Sequence, residues 1–295
     1  MRISDSMIFA AAALNTGSAR SALEEATRVA STGLRIQHPG DDPGAAGLLV
    51  SHQSALDRAQ ALSQVASRAS DELGAADGAL SQVTEALSRA RELAVQMANA
   101  SYSAADRAGA AAEVDGLGQQ ISSALNLKVG NRYVFGGSKD HAPPFAADGT
   151  YAGDALVRQL EIAPGVVQDA SVRADVVIKG AGGGVDVFAA IAALSTALKA
   201  NDAAGVRSSM DALTTATTQL ATGRSAVGAD IASFSAAKGA ADAASLTEKT
   251  TVSGLQDADV VDAATRLALA QHALEASLAA TSAGFKLSLL DPTGG

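Results

Sequence analysis

A chain of 295 residues with 47% hydrophobic content can build a sizeable core, yet only 3% of its residues are aromatic and tryptophan is absent. Alanine makes up the difference, which suits closely spaced helices and leaves little material for an aromatic-walled enzyme pocket. A formal net charge of −9 argues against nucleic acid and anionic membrane surfaces as partners, and the absence of cysteine excludes disulfides, thiolate metal sites and thiol nucleophiles.

The amino terminus carries one charge pair, Arg2 and Asp5, ahead of an Ala-rich amphipathic run. No cleaved signal peptide is expected there, and no run of about 18 uninterrupted apolar residues is present to span a bilayer. The spacing predicts a first helix from about Ser4 to Ile36. One stripe holds Ile3, Met7, Ala10 and Leu14; a second, out of phase, holds Ala19, Ala22, Ala26, Val29, Gly33 and Ile36. Gly17 between them suggests a bend or a change of packing partner. The segment His38-Pro39-Gly40-Asp41-Asp42-Pro43 then breaks the helix, with Pro43 suited to the first position of the next one and Asp42 to its cap. Capping accounts for the paired aspartates without calcium or catalysis, since no further acidic residues cluster beside them.

From Leu48 to Met97 apolar residues recur at alternating steps of four and three, interrupted only by His52; Leu62, Leu73, Leu80, Val83 and Leu87 are the larger members of this ladder. Such a pattern predicts a continuous coiled-coil helix to about Asn99, roughly 75 Å long at 1.5 Å per residue, whose stripe needs partner helices. A third helix is expected from about Ala104 to Lys128 behind a serine cap, with Ala108, Ala111, Val114, Leu117, Ile121 and Leu125 on one face.

Between Val129 and Val187 the period changes. Arg132–Phe135, Leu156–Ile162 and Val172–Ile178 read as strands, and Gly136-Gly137 and Gly182-Gly183-Gly184 as hinge-like clusters around a small β-rich insert. Neither glycine cluster leads into the Gly-Lys-Ser/Thr of a phosphate-binding loop. Helical spacing resumes at Phe188, Ile191, Leu194 and Leu198. A second ladder, through Leu213, Leu220, Val227 and Ile231 to Phe234, supplies the missing partner of the first. A final helix from about Asp257 carries Val260, Ala264, Leu267, Leu274, Leu278, Phe285, Leu287, Leu289 and Leu290.

The expected fold is therefore mainly α: an elongated antiparallel coiled-coil bundle of N- and C-terminal segments with a small β-rich inserted domain. Its divisions would be terminal helices at 1–40 and 255–295, ordered only when covered by neighbours, a helical rod at 41–137 and 187–254, and the insert at 138–186. Catalytic constellations are missing. His38, His52, His141 and His272 sit in separate segments without metal-ligand spacing, no Gly-x-Ser-x-Gly elbow occurs, and no cofactor is implied. A helical-bundle enzyme would need clustered acid and histidine ligands that the ladders do not provide, which leaves a signalling coiled coil as the other rival class.

Several segments carry a resemblance: Met1-Arg2-Ile3-Ser4; Ser31-Thr32-Gly33-Leu34-Arg35-Ile36 followed by Pro39-Gly40-Asp41-Asp42-Pro43; Arg89-Ala90-Arg91-Glu92-Leu93-Ala94-Val95-Gln96; and Ala270-Gln271-His272-Ala273-Leu274-Glu275-Ala276-Ser277-Leu278 with Leu287-Ser288-Leu289-Leu290. In order, over about residues 1–145 and 245–290, they resemble the flagellin superfamily of bacteria. Gly130-Asn131-Arg132-Tyr133-Val134-Phe135-Gly136-Gly137, then Pro144-Phe145, is similar to its hook-associated protein 3 branch. The resemblance implies a non-enzymatic adaptor assembling as a ring at the hook-filament junction, secreted by the flagellar type III export route. The implied partners are copies of itself, hook-associated protein 1, flagellin or the filament cap, and an export chaperone. Flagellin itself is the alternative within the class. The terminal assembly surface would be formed by Ile3, Met7, Leu14, Leu267, Leu274, Leu278, Leu289 and Leu290.

Overall fold

The structure, a computed structural model, describes the backbone of residues 5–290 and the side chains of residue 7 and residues 9–283. In chain order the elements are α1 (Asp5–Thr32), α2 (Pro43–Met97), α3 (Ala104–Leu125), β1 (Lys128–Val129), β2 (Arg132–Tyr133), β3 (Gln159–Ala163), β4 (Val166–Asp169), α4 (Ala174–Val177), α5 (Val187–Lys199), α6 (Ala203–Gln256) and α7 (Val260–Leu290). The chain is mainly helical with a small strand region, as the sequence predicts, and the strands form two antiparallel hairpins, β1–β2 and β3–β4. It divides into two units, residues 1–58 with 244–295 and residues 59–243.

In the larger unit, 59–243, a buried cluster joins α2, α3, α5 and α6, with Ala174 and Val177 of α4 added to it. Leu73, Leu80, Val83 and Leu87 of α2 meet Val114, Ile121 and Leu125 of α3, Ile191, Leu194 and Leu198 of α5, and Leu213, Leu220, Val227 and Phe234 of α6, all buried. Each buried leucine contributes roughly 1.5–3 kcal/mol of transfer free energy, so the ladder is the main source of this unit's stability. Leu62 and Ile231, at the ends of the two seams, are half-buried. The seams run antiparallel: Ser63 donates to Asp242, Arg224 grips Asp77 through two bonds of 2.8 and 3.1 Å, and Arg207 donates to the Ala98 carbonyl at 3.2 Å.

Arg224 holds the Asp77 carboxyl below the ordinary aspartate range. A depressed carboxylate stabilises the fold above its unfolded-state value and loses that contribution as pH falls through the folded one. Both side chains are about a third exposed, so screening keeps the term small. Asp77→Asn should lower stability by roughly 0.5–1 kcal/mol at neutral pH, and the gap to the parent should close as pH drops below about 4. Thermal midpoints of the two proteins at pH 7 and pH 3 check this.

The helix ends follow local chemistry. Ser103 and Asp106 form a reciprocal capping box on α3, and Asp186 accepts the amides of Phe188 and Ala189 at the start of α5. The exit of α2 is closed by Arg107, only 4% exposed. Its guanidinium donates to the Met97 carbonyl at 3.0 Å and the Asn99 carbonyl at 2.8 Å, and it also bonds Asn201, which sits at φ 54° in the α5–α6 turn. A cation at the carbonyl end of a helix is also favoured by the helix dipole.

Several boundaries depart from expectation. The first helix stops at Thr32 rather than Ile36, because Gly33 takes φ 72° and donates to the Val29 carbonyl, terminating α1 in a left-handed turn. The third helix ends at Leu125, and its inner face uses Arg107 and Ala110 where Ala108 was expected; Ala108 is exposed. The final helix begins at Val260 with Asp259 as its cap.

The largest correction lies in the insert. Val172–Ile178 is not a strand: Ala174–Val177 forms the short helix α4, with Ala174 and Ile178 fully buried. α4 can settle on α6 because residue 223 is glycine; a Cβ there would stand 2.8 Å from both Val177 methyls. The expected strand Arg132–Phe135 shrinks to Arg132–Tyr133, and Phe135 enters the core. Leu156–Ile162 becomes β3 at Gln159–Ala163, paired with β4 through a turn at Gly165. Of the glycines expected as hinges, Gly136, Gly137 and Gly184 are close-packed, since a side chain there would strike the Lys139 backbone, Asp154 and Gln219 respectively, whereas Gly182 and Gly183 lie in open space at φ 94° and 105°.

Candidate assembly surface of the terminal helices

In the smaller unit α1 lies against α7. The covered stripe of α1 runs through Phe9, Ala12, Thr16, Ala19, Leu23 and Ala26 at alternating steps of three and four. On α7 the matching stripe is Ala263, Leu267, Ala270, Leu274, Ser277 and Thr281, at steps of four and three. Small residues dominate both, so the backbones approach closely, and Thr16 Oγ1 lies 3.0 Å from Ser277 Oγ across the seam. Among these residues only Ala26, Ala263 and Ala270 are buried outright; the rest are half-covered.

The other stripe of α1 is open. Met7 is 62% exposed and Leu14 75%, with Ala10 exposed between them. On α7, Val260, Val261, Leu269 and Leu278 are likewise exposed. A groove lined by Ala22, Val29, Leu269 and Ala273 together with the charged Glu25, Arg35, Asp41, Asp259, Asp262 and Arg266 follows the helix pair. On α1, Met7, Ala10 and Leu14 share one face, and large apolar side chains left in water along one face are a common mark of a contact surface. Of the residues expected on this surface, Met7, Leu14 and Leu278 lie on open faces, whereas Leu267 and Leu274 lie half-buried on the stripe that meets α1. Ile3 lies outside the described residues, and so do the side chains of Leu289 and Leu290.

The pair is closed where α1 gives way to α2 and α6 to α7. Leu34 and Asp257 form an antiparallel bridge flanked by two backbone bonds, Arg35 N–H to the Gln256 carbonyl at 2.7 Å and Ala258 N–H to the Gly33 carbonyl at 2.8 Å. Gln256 Nε2 returns a bond to the Ile36 carbonyl at 3.3 Å, and Ile36 is 2% exposed. The Arg35 guanidinium reaches the Leu255 carbonyl at 2.8 Å and Asp42 Oδ2 at 3.2 Å. Asp42 in turn accepts the Ala45 amide at 3.1 Å as the cap of α2, and that bond, followed by Arg35, holds its carboxyl below the ordinary range. Asp41 is lowered chiefly by the amides of Gln37 and His38. The expected cap of α2 is therefore present, while Arg35 as a tie between two chain segments carries no sequence signal beyond being an arginine.

Elsewhere in this unit His52 interrupts the α2 ladder to meet Glu248 of α6, Nδ1 to Oε2, at 2.7 Å. Among the described residues no group of three or more potential metal ligands converges, and no helix is long and apolar enough to cross a membrane.

Two family models cover about three quarters of the sequence: the bacterial flagellin N-terminal helical region matches residues 3–140 and the bacterial flagellin C-terminal helical region matches residues 210–291. The chain belongs to the flagellin family. This flagellin-family chain is 35% identical over 127 residues to flagellar hook-associated protein 3 of Escherichia coli, covering 42% of the chain and 40% of that relative. It is 36% identical over 134 residues to the protein of the same name from Salmonella typhimurium, 44% of the chain and 42% of the relative. The matches thus span about two fifths of the length of these curated relatives. A crystal structure of FlgL from Xanthomonas campestris shares the fold, with a TM-score of 0.61 at 20% identity over 68% of this chain and 99% of that one. Both family regions meet in the α1–α7 pair, so the matched ends of the sequence are the parts that carry the open apolar stripes.

Proposed function

We propose that this protein is a structural subunit of the bacterial flagellum that assembles with its own copies as a ring at the hook-filament junction. The observation that carries the reading is the double-sided α1: one stripe is covered by α7 and the other leaves Met7 and Leu14 in water. The curated relatives named hook-associated protein 3 support the junction over the filament body. By the same resemblance the neighbours are hook-associated protein 1 on one side and flagellin or the filament cap on the other, with an export chaperone before assembly and export without a cleaved signal peptide. The role is structural, with no substrate and no cofactor.

On this reading the assembly interface comprises Ile3, Met7, Leu14, Leu267, Leu274, Leu278, Leu289 and Leu290, and the terminal helices complete their ordering as copies cover them. Small residues in the α1–α7 seam bury little area, which leaves most of the gain in burial to assembly. The seam residues Leu62 to Leu87 and Leu213 to Ile231 hold the rest of the chain together as the scaffold for those ends.

A strain lacking the protein should make hooks without filaments, and the parent gene should restore the filaments. The double variant Met7→Ser, Leu14→Ser should fail to restore them. Its unassembled form should melt within about 0.5 kcal/mol of the parent, since both side chains are exposed. Filaments of normal number and length on the deletion strain would end the junction reading, and labelled protein along the whole filament would replace it with flagellin.

A further inference from the structure

The bridge between residues 33–36 and 255–258 is set apart from the rest of the unit by its density of bonds. It joins segments some 220 residues apart in sequence, and it does so with backbone pairs, a glutamine that bonds in both directions, and one guanidinium shared between the end of α6 and the cap of α2. The α1–α7 seam beyond it is built largely of alanine, threonine and serine, with Thr16 facing the Ser277 hydroxyl at 3.0 Å and the Thr281 hydroxyl at 3.5 Å. A weak seam gains most from having its two strands held together at one end, because closing a long loop is an entropic cost that need be met only once.

We propose that this bridge is a clasp controlling the order of the terminal helices: while it is shut α1 and α7 zip together from it, and when it opens they separate, with residues 59–243 unaffected. Arg35 is the pin. It satisfies a carbonyl in the last turn of α6 and the carboxylate that caps α2, so removing it loosens both ends of the clasp. Leu34 and Asp257 are the rungs, and the two backbone bonds that flank rather than join them make theirs the closely spaced kind of antiparallel pair. The inference concerns the unassembled chain and does not depend on what later covers Met7 and Leu14.

The cysteine-free sequence permits a clean test on the full-length protein. In Leu34→Cys, Asp257→Cys the two thiols fall within the span a disulfide needs, and oxidation locks the clasp in the same molecule that reduction frees. Hydrogen exchange followed by mass spectrometry should show α1 and α7 amides exchanging about tenfold or more slowly in the oxidised form than in the reduced one. Arg35→Ala should speed the same amides by a similar factor, with Arg35→Lys falling between. Peptides from 59–243 should exchange at parental rates throughout, which also reports that each variant is folded. Equal α1 and α7 exchange in oxidised and reduced protein would overturn the clasp, as would an acceleration in Arg35→Ala spread evenly over both units.

Discussion

Leu80→Pro should unfold the 59–243 unit at temperatures where the parent is fully native. Leu80 is completely buried at the middle of the α2 ladder. Proline there removes an amide donor and drives its ring into the preceding turn, at a cost of about 3 kcal/mol or more, and the lost leucine packing adds roughly 2–4 kcal/mol. Together these approach the whole stability of an ordinary domain. Leu80→Ala separates the two contributions: it keeps the helix and should cost only the packing part, lowering the melting temperature by roughly 5–15 °C. Circular dichroism melts of both variants provide the measurement. A parental melting curve for Leu80→Pro would mean that α2 is not one continuous helix.

The second large effect is expected at Arg107. Arg107→Met keeps most of the aliphatic stem but takes the guanidinium from the Met97 carbonyl and the Asn201 side chain and leaves the Asn99 carbonyl with the Tyr102 amide at 3.4 Å. Hydrogen bonds to a charged group contribute about 1.5–3 kcal/mol each, and a buried acceptor left unpaired costs about 1–3 kcal/mol, so a loss of about 3–5 kcal/mol is expected. Arg107→Lys should recover little, because an ammonium cannot reproduce a planar fork spread over three acceptors. Denaturant unfolding of the three proteins gives the ranking. A Lys variant as stable as the parent would show that charge alone, rather than geometry, closes the end of α2.

The helices that depend on long, regular apolar spacing are legible in the sequence. The ladders of α2 and α6 and the serine cap of α3 are each present where the spacing and cap chemistry put them, because each is dictated by a local rule. The insert is less legible. Val172–Ile178 is rich in β-branched residues, which fit a strand and a buried helical turn equally well; the decision comes from Gly223, some fifty residues away, which opens room on α6 for α4. Arg107 was invisible for a similar reason. An arginine in the first turn of a helix reads as a solvent-facing residue until the carbonyls of Met97 and Asn99 are brought to it. In α1 the sequence offered Met7 and Leu14 as the conspicuous stripe, but the face that packs on α7 is the quieter one through Ala12, Thr16 and Ala19. Small side chains make close helix pairs and weak hydrophobic signals at once.

The pairing of α1 with α7 also has a temporal side. Thr16 meets Ser277 across 261 positions of the polypeptide. At ordinary rates of translation, roughly 5–20 residues per second, the opening helix leaves the ribosome some 10–50 s before the closing one is made. Throughout that interval both of its greasy faces are bare, whereas the leucines of α2 can start collecting neighbours as soon as α3 follows. A helix made well ahead of its partner is thus among the last to find its mate, and its apolar faces need shielding in the meantime.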